Sequence, residues 1–183
     1  MDVRLINIAK EYFDLIVEDM DKLQEAGFVR FKSDLKLSDV YQHDIADFIL
    51  YQIAADKQID VDEVNAFRFL TGYGGDDIDS LKKYIEENNL LSYDYQSTIP
   101  SSLRFLVSAT NDEKMFRDIE RSYLIEAYVR SFKLVGEITM TANDRVSYDE
   151  RRAFELYIKN LLGYIGDHSF LLFETPISNL LLE

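Results

Sequence analysis

Oxygen-bearing side chains crowd two short stretches of this chain, and they are the residues best equipped for chemistry. Asp56, Asp60, Asp62 and Glu63 form one group, and Asn143, Asp144, Asp149 and Glu150 form the other. Carboxylates and amides at that density suit a hard divalent cation, calcium or magnesium, which prefers oxygen ligands. A cation held this way could also activate water for hydrolysis. The simpler role is structural. Asp60 with Glu63, and Ser147 with Glu150, have the spacing of a capping box, in which the first side chain accepts a first-turn backbone N–H and the Glu reaches back. Negative charge there also complements the helix macrodipole. Capping explains both groups without a ligand, and it leaves Asp56, Asp62, Asn143, Asp144 and Asp149 over as candidate ligands.

Other constellations are weaker. An EF-hand starting at Asp56 would put Val61 where the loop needs Gly and Phe67 where it needs a bidentate Glu. A cation site must therefore be assembled across the fold. His43-Asp44 and Asp167-His168 invite comparison with His/Asp phosphohydrolases, which need more than the two histidines present. His43 and Asp47, one turn apart, could share a metal, but a solvated first helical turn explains them more simply. Gly72-Tyr73-Gly74-Gly75 lacks the Lys-Ser/Thr of a phosphate loop, and neither a His-Glu-x-x-His nor a Gly-x-Ser-x-Gly motif occurs.

The elements that must carry these residues are helices. Leu5, Ile8, Tyr12, Leu15, Ile16, Met20 and Leu23 recur at three- and four-residue spacing, which predicts an amphipathic helix over 3–24 ended by Gly27. Ser38 is placed to cap a second helix through Ile53, and Asp60 to start a third reaching Gly72. Ile78, Leu81, Tyr84 and Ile85 mark a short fourth, which Asn88-Asn89 would end. Pro100 opens a fifth with Leu103, Leu106 and Val107. A long pattern from about 113 to 141 and a strong one over 148–164 complete about seven helices. Phe48, Phe67, Phe69, Phe132 and Phe154 read as core. Phe28-Val29-Arg30-Phe31 and Phe170–Phe173 lie off the stripes, and an exposed apolar patch there would mark a partner surface.

The two acidic stretches belong to a passage that occurs twice. The segment from Ile53 to Phe67 returns 87 positions later, from Met140 to Phe154, with Ala55, Asp62, Glu63, Ala66 and Phe67 matched by Ala142, Asp149, Glu150, Ala153 and Phe154. This predicts an internal repeat, approximately 37–73 and 124–160, of a helix, a short turn and a helix. Neither unit can bury its apolar face alone, so the two should pack together, about a local twofold axis. No Ser/Gly/Pro-rich linker divides them. The expectation is an all-α fold, a single compact domain over 1–183.

Ala55-Asp56-Lys57-Gln58-Ile59-Asp60-Val61-Asp62-Glu63 resembles the motif of the TerB-like family, named for a tellurite-resistance protein, close to Ala-Asp-Gly-x-Ile/Val-x-x-x-Glu between two helices. Lys57 stands where the family has Gly, and in the second copy Asn143-Asp144 replaces Asp-Gly. The resemblance covers about 37–165. It implies a compact helical domain, acidic residues that bind a metal cation, a role in stress response or complex assembly, and no established catalysis.

Composition narrows the partners. A formal charge of −14 opposes phosphate backbones and anionic membranes. No stretch of about 20 apolar residues is present to span a bilayer, and the N-terminal residues lack a basic-then-apolar leader, so a cytoplasmic location is expected. With no Cys, disulfides, thiolate zinc sites and Cys nucleophiles are excluded. The leading expectation is a non-enzymatic module that binds protein partners or forms homo-oligomers, with a divalent cation as its only candidate cofactor. The alternatives are a metal-dependent hydrolase using the same acids and a purely structural module.

Overall fold

A computed structural model describes residues 3–56, 59, 61–72, 78–87, 98–112, 121–142, 146–171 and 173. Seven helices follow in chain order among them: α1 (Val3–Glu25), α2 (Leu37–Ile53), α3 (Val61–Thr71), α4 (Ile78–Glu87), α5 (Ser101–Thr110), α6 (Arg121–Met140) and α7 (Tyr148–His168). No strand occurs among the described residues.

The helix boundaries follow from local chemistry. On α1, Ile6, Ala9, Ile16, Met20 and Leu23 are buried along one stripe. The helix ends where Gly27 takes φ 81°, a left-handed conformation that costs a residue without Cβ little. Phe28 N–H then donates to Leu23 O and Gly27 N–H to Gln24 O, which satisfies two carbonyls of the last turn. The start of α2 differs from expectation. Its first residue is Leu37, the Asp39 carboxylate accepts from Lys36 N–H at 3.4 Å, and Ser38 is buried instead of capping. The Ser38 hydroxyl donates to Asp21 Oδ1 at 2.6 Å, tying α2 to α1.

Two helices form the centre. Tyr41 lies against Tyr128 and Phe132, Phe48 lies against Phe132, and Gln52 Nε2 donates to Gly136 O at 3.0 Å. Contacts that advance together along both helices mean that α2 and α6 run in the same direction. The turns that follow them therefore lie at the same end of the bundle. Around this pair, α1 and α5 each touch both central helices, α3 packs on α2 and α6, and α7 packs on α6 and α2. Tyr41, Phe48, Tyr128 and Phe132 are fully buried, and each such side chain contributes on the order of 1.5–3 kcal/mol by leaving water. Gly136 permits the closest approach. A Cβ there would stand 2.5 Å from the Phe154 ring of α7 and 3.1 Å from Phe48 Cζ.

Most polar groups inside are paired, Gln52 Oε1 and Arg68 Nε being the exceptions among the described residues. Tyr41 Oη donates to Ser131 Oγ at 2.7 Å, and Ser131 Oγ donates to Tyr128 O. Asp44 Oδ2 accepts from both the backbone N–H and the hydroxyl of Ser102 on α5, and Ser102 Oγ lies 2.8 Å from Tyr128 Oη. With the Ser102 proton directed at Asp44, Tyr128 is the donor in that last contact.

The apolar residues singled out in the sequence have different fates, and one of them, Phe69, corrects an expectation. Phe28 and Phe31 are not a free surface: they are half-buried against the core around buried Val29, and Phe31 meets Phe105 edge-on with ring centres 5.0 Å apart. Phe69 is not core. It is 43% exposed, with Lys10 Nζ 4.5 Å above its ring, because α3 turns that side away from α2. In the closing stretch Phe170 is exposed, whereas Leu171 and Phe173 pack on the core and Leu172 lies outside the described residues.

Candidate functional site

The second acidic turn is built as a capping box. Ser147 precedes α7, Glu150 N–H donates to Ser147 Oγ at 3.1 Å, and Glu150 Oε2 accepts from Ser147 N–H at 2.7 Å. Glu150 is only 1% exposed, as is its counterpart Glu63 in the first turn of α3. Burial of a carboxylate is tolerated when fixed donors replace its water, and at Glu150 the cap supplies one. Asp62 and Asp149 lie on the exposed side of their helix starts, and Asp56 is half-buried in the turn after α2. Asp60, Asn143 and Asp144 lie outside the described residues. Among the described residues no group of three or more His, Cys, Asp or Glu side chains is gathered as a metal site.

The His43/Asp47 pair differs from the solvated first turn expected for it. His43 is exposed, but Asp44 and Asp47 are half-buried, because α5 covers Asp44 and the α3/α4 side of the bundle shields Asp47. Burial pushes the Asp44 carboxyl above its ordinary range, against the pull of the Ser102 donors. Burial, and then the Asp44 charge, push Asp47 up as well, with His43 opposing. His43 and Asp47 line a pocket of about 280 Å³ whose other walls are Ala46, Leu50, Phe67, Leu81 and Tyr84. Here α4 closes the groove between α2 and α3, with Leu81 buried.

A second groove runs along α6. On its α1 side, Ile8 and Tyr12 face Arg130, Lys133, Leu134 and Glu137 around a space of about 240 Å³. On its α7 side, Lys133 and Glu137 face Arg152, Phe154, Glu155, Leu156, Ile158 and Lys159 around about 540 Å³. Shared Lys133 and Glu137 make the two spaces neighbours in one trough. Four basic side chains line it against two acidic ones, on a chain whose formal charge is −14. Adding 87 to the α2 and α3 residues of the first pocket, His43, Ala46, Asp47, Leu50 and Phe67, gives Arg130, Lys133, Leu134, Glu137 and Phe154. Every one of these lines the trough.

The trough was missed at the level of sequence. Its signal was present: Arg130 with Lys133, and Arg152 with Lys159, recur at helical spacing in a chain with 34 acidic and 20 basic residues. Compared with protein-family models, curated proteins and solved structures, the chain matches none. The likeness to TerB-like domains therefore rests on the residues of the two turns alone.

Proposed function

We propose that this chain is a non-enzymatic helical module of TerB-like kind that works by binding a protein partner. The observation that carries the reading is the trough on α6, a mixed apolar and charged groove at positions which, in the first half of the chain, lie beneath α4. Grooves between helices that keep apolar walls and a charged rim are suited to protein recognition. The burial of Glu63 and Glu150 supports the non-catalytic part, and the Glu150 carboxylate is already taken up by the Ser147 N–H, which leaves it poorly placed to hold a reacting water.

Duplication belongs to the same reading. Both 37–73 and 124–160 contain a helix, a turn and a helix, and the cross-contacts α2 with α7 and α6 with α3 are those a twofold axis would pair. The match extends upstream: Ile16, Met20 and Leu23 on α1 and Leu103, Val107 and Thr110 on α5, again 87 apart, are all buried.

The test is site-directed crosslinking. A photoreactive residue at Leu134 is compared with one at Lys32, an exposed loop position, and any captured protein is purified and re-bound. Capture at position 134 alone, confirmed with purified components, supports the module. Equal capture at both positions refutes it, as does divalent-cation-dependent hydrolysis of a phosphoester that is lost in Asp62→Asn/Asp149→Asn protein.

A further inference from the structure

We infer that the trough on α6 receives an acidic amphipathic helix from the partner. This rests on the binding-module reading and gives it a partner chemistry. Two observations fix that chemistry. The first is what closes the corresponding groove: α4, a short helix that turns Leu81 and Tyr84 toward Phe67. The trough offers the same kind of floor, with Leu134, Phe154 and Ile158 in place, and among the described residues no helix covers it as α4 covers the first. An apolar stripe at three- and four-residue spacing is the natural complement of such a floor.

The second observation is charge. His43, Ala46 and Asp47 of the first groove are replaced at matching positions by Arg130, Lys133 and Leu134. Arg152 and Lys159 add two further cations from α7, against Glu137 and Glu155. A cluster of positive charge in a groove of an acidic protein favours negatively charged partners there over basic ones. Flanking Glu or Asp on the incoming helix would meet these cations at the rim, where long Lys and Arg stems also cover apolar surface.

The experiment uses the full chain and a fluorescein-labelled synthetic peptide of about 20 residues, long enough to hold helical structure, with Leu and Tyr on one helical stripe and Glu elsewhere. A matched peptide carries Lys in place of Glu. Anisotropy should show saturable binding of the Glu peptide and at least about tenfold weaker binding of the Lys peptide. Amide shifts should centre on Lys133, Leu134, Phe154 and Lys159. Lys133→Glu/Lys159→Glu protein, checked by its melting curve, should lose about tenfold in affinity, and Lys32→Glu protein should not.

Equal binding of the two peptides, shifts elsewhere, or equal loss in the Lys32→Glu control would overturn the inference. Tighter binding of a peptide of residues 174–183 would assign the trough to the chain itself. Dimerisation abolished by the double reversal would assign it to a second copy. Either result also overturns the inference. If neither peptide binds but crosslinking at position 134 still captures a partner, the module stands and the acidic helix falls.

Discussion

Gly136→Ala puts the junction of α6 and α7, and with it the wall of the trough, to a quantitative test. In an ordinary helix interior the change would stabilise by about 1 kcal/mol, because Ala loses less backbone freedom. Here the new Cβ would stand 2.5 Å from Phe154 Cδ2 and Cε2 and 3.1 Å from Phe48 Cζ. Phe48 is fully buried and cannot retreat, so the half-buried Phe154 ring must move. Overpacking costs on the order of 1–3 kcal/mol, and displacing part of a Phe side chain forfeits about 1 kcal/mol of burial. After the helix gain is subtracted, the net loss is about 1–3 kcal/mol, a fall in Tm of about 2–12 °C for a chain of this size. The decisive assay is a double-mutant cycle by urea and thermal unfolding. With Phe154→Ala in the background the clash is gone, and Gly136→Ala should become neutral or stabilising, giving a coupling of at least about 1 kcal/mol. A stabilised single variant, or additive effects, would refute the close approach of α7 to α6.

Other predictions follow from the caps, the buried acids and the turns. Ser147→Ala removes the acceptor for Glu150 N–H and should cost about 1 kcal/mol, read as a fall in Tm of about 2–4 °C; an unchanged Tm would contradict the cap. Tyr41→Phe deletes a fully buried donor to Ser131 and should cost about 1 kcal/mol by urea unfolding, while a gain would show that the hydroxyl is poorly accommodated. The raised Asp47 carboxyl means that the folded state holds its proton more tightly than the unfolded state. Its contribution is therefore fully present below the unfolded carboxylate range and lost as pH rises through the folded value. Asp47→Asn should raise Tm relative to the parent near neutral pH, with the gain shrinking as pH falls through the carboxylate range; a pH-independent difference would reject the assignment. Chelator-treated protein melted with and without millimolar calcium or magnesium tests the cation expectation, because a ligand at a hundredfold excess over its Kd stabilises the folded state by about 2.7 kcal/mol. Any such gain should vanish in Asp56→Asn/Asp144→Asn protein, and its persistence there would place the ion elsewhere.

Local physics was enough to specify the helices. Apolar side chains at three- and four-residue spacing, Gly27 with its left-handed φ, and the Ser147/Glu150 pair act within one or two turns, so they are legible in the order of residues alone. The two acidic turns were legible for the same reason, and so was their capping spacing, which the Ser147/Glu150 bonds realise. The fate of individual faces depended on contacts between residues far apart in the chain. Phe69 shares the helical pattern of core residues, yet α3 presents it to Lys10 because Phe67 and Val64 take the inner side. Ser38 has the composition of a cap, yet the approach of α1 gives its hydroxyl to Asp21. Asp44 and Asp47 look like surface acids until α5 covers one and the α3/α4 side of the bundle shields the other. The trough is the fullest case. Arg130 and Lys133 on α6 and Arg152 and Lys159 on α7 become one basic groove only when Gly136 lets Phe154 seat α7 against α6. Sequence spacing sets which residues share a helix face, and tertiary packing sets what each face meets.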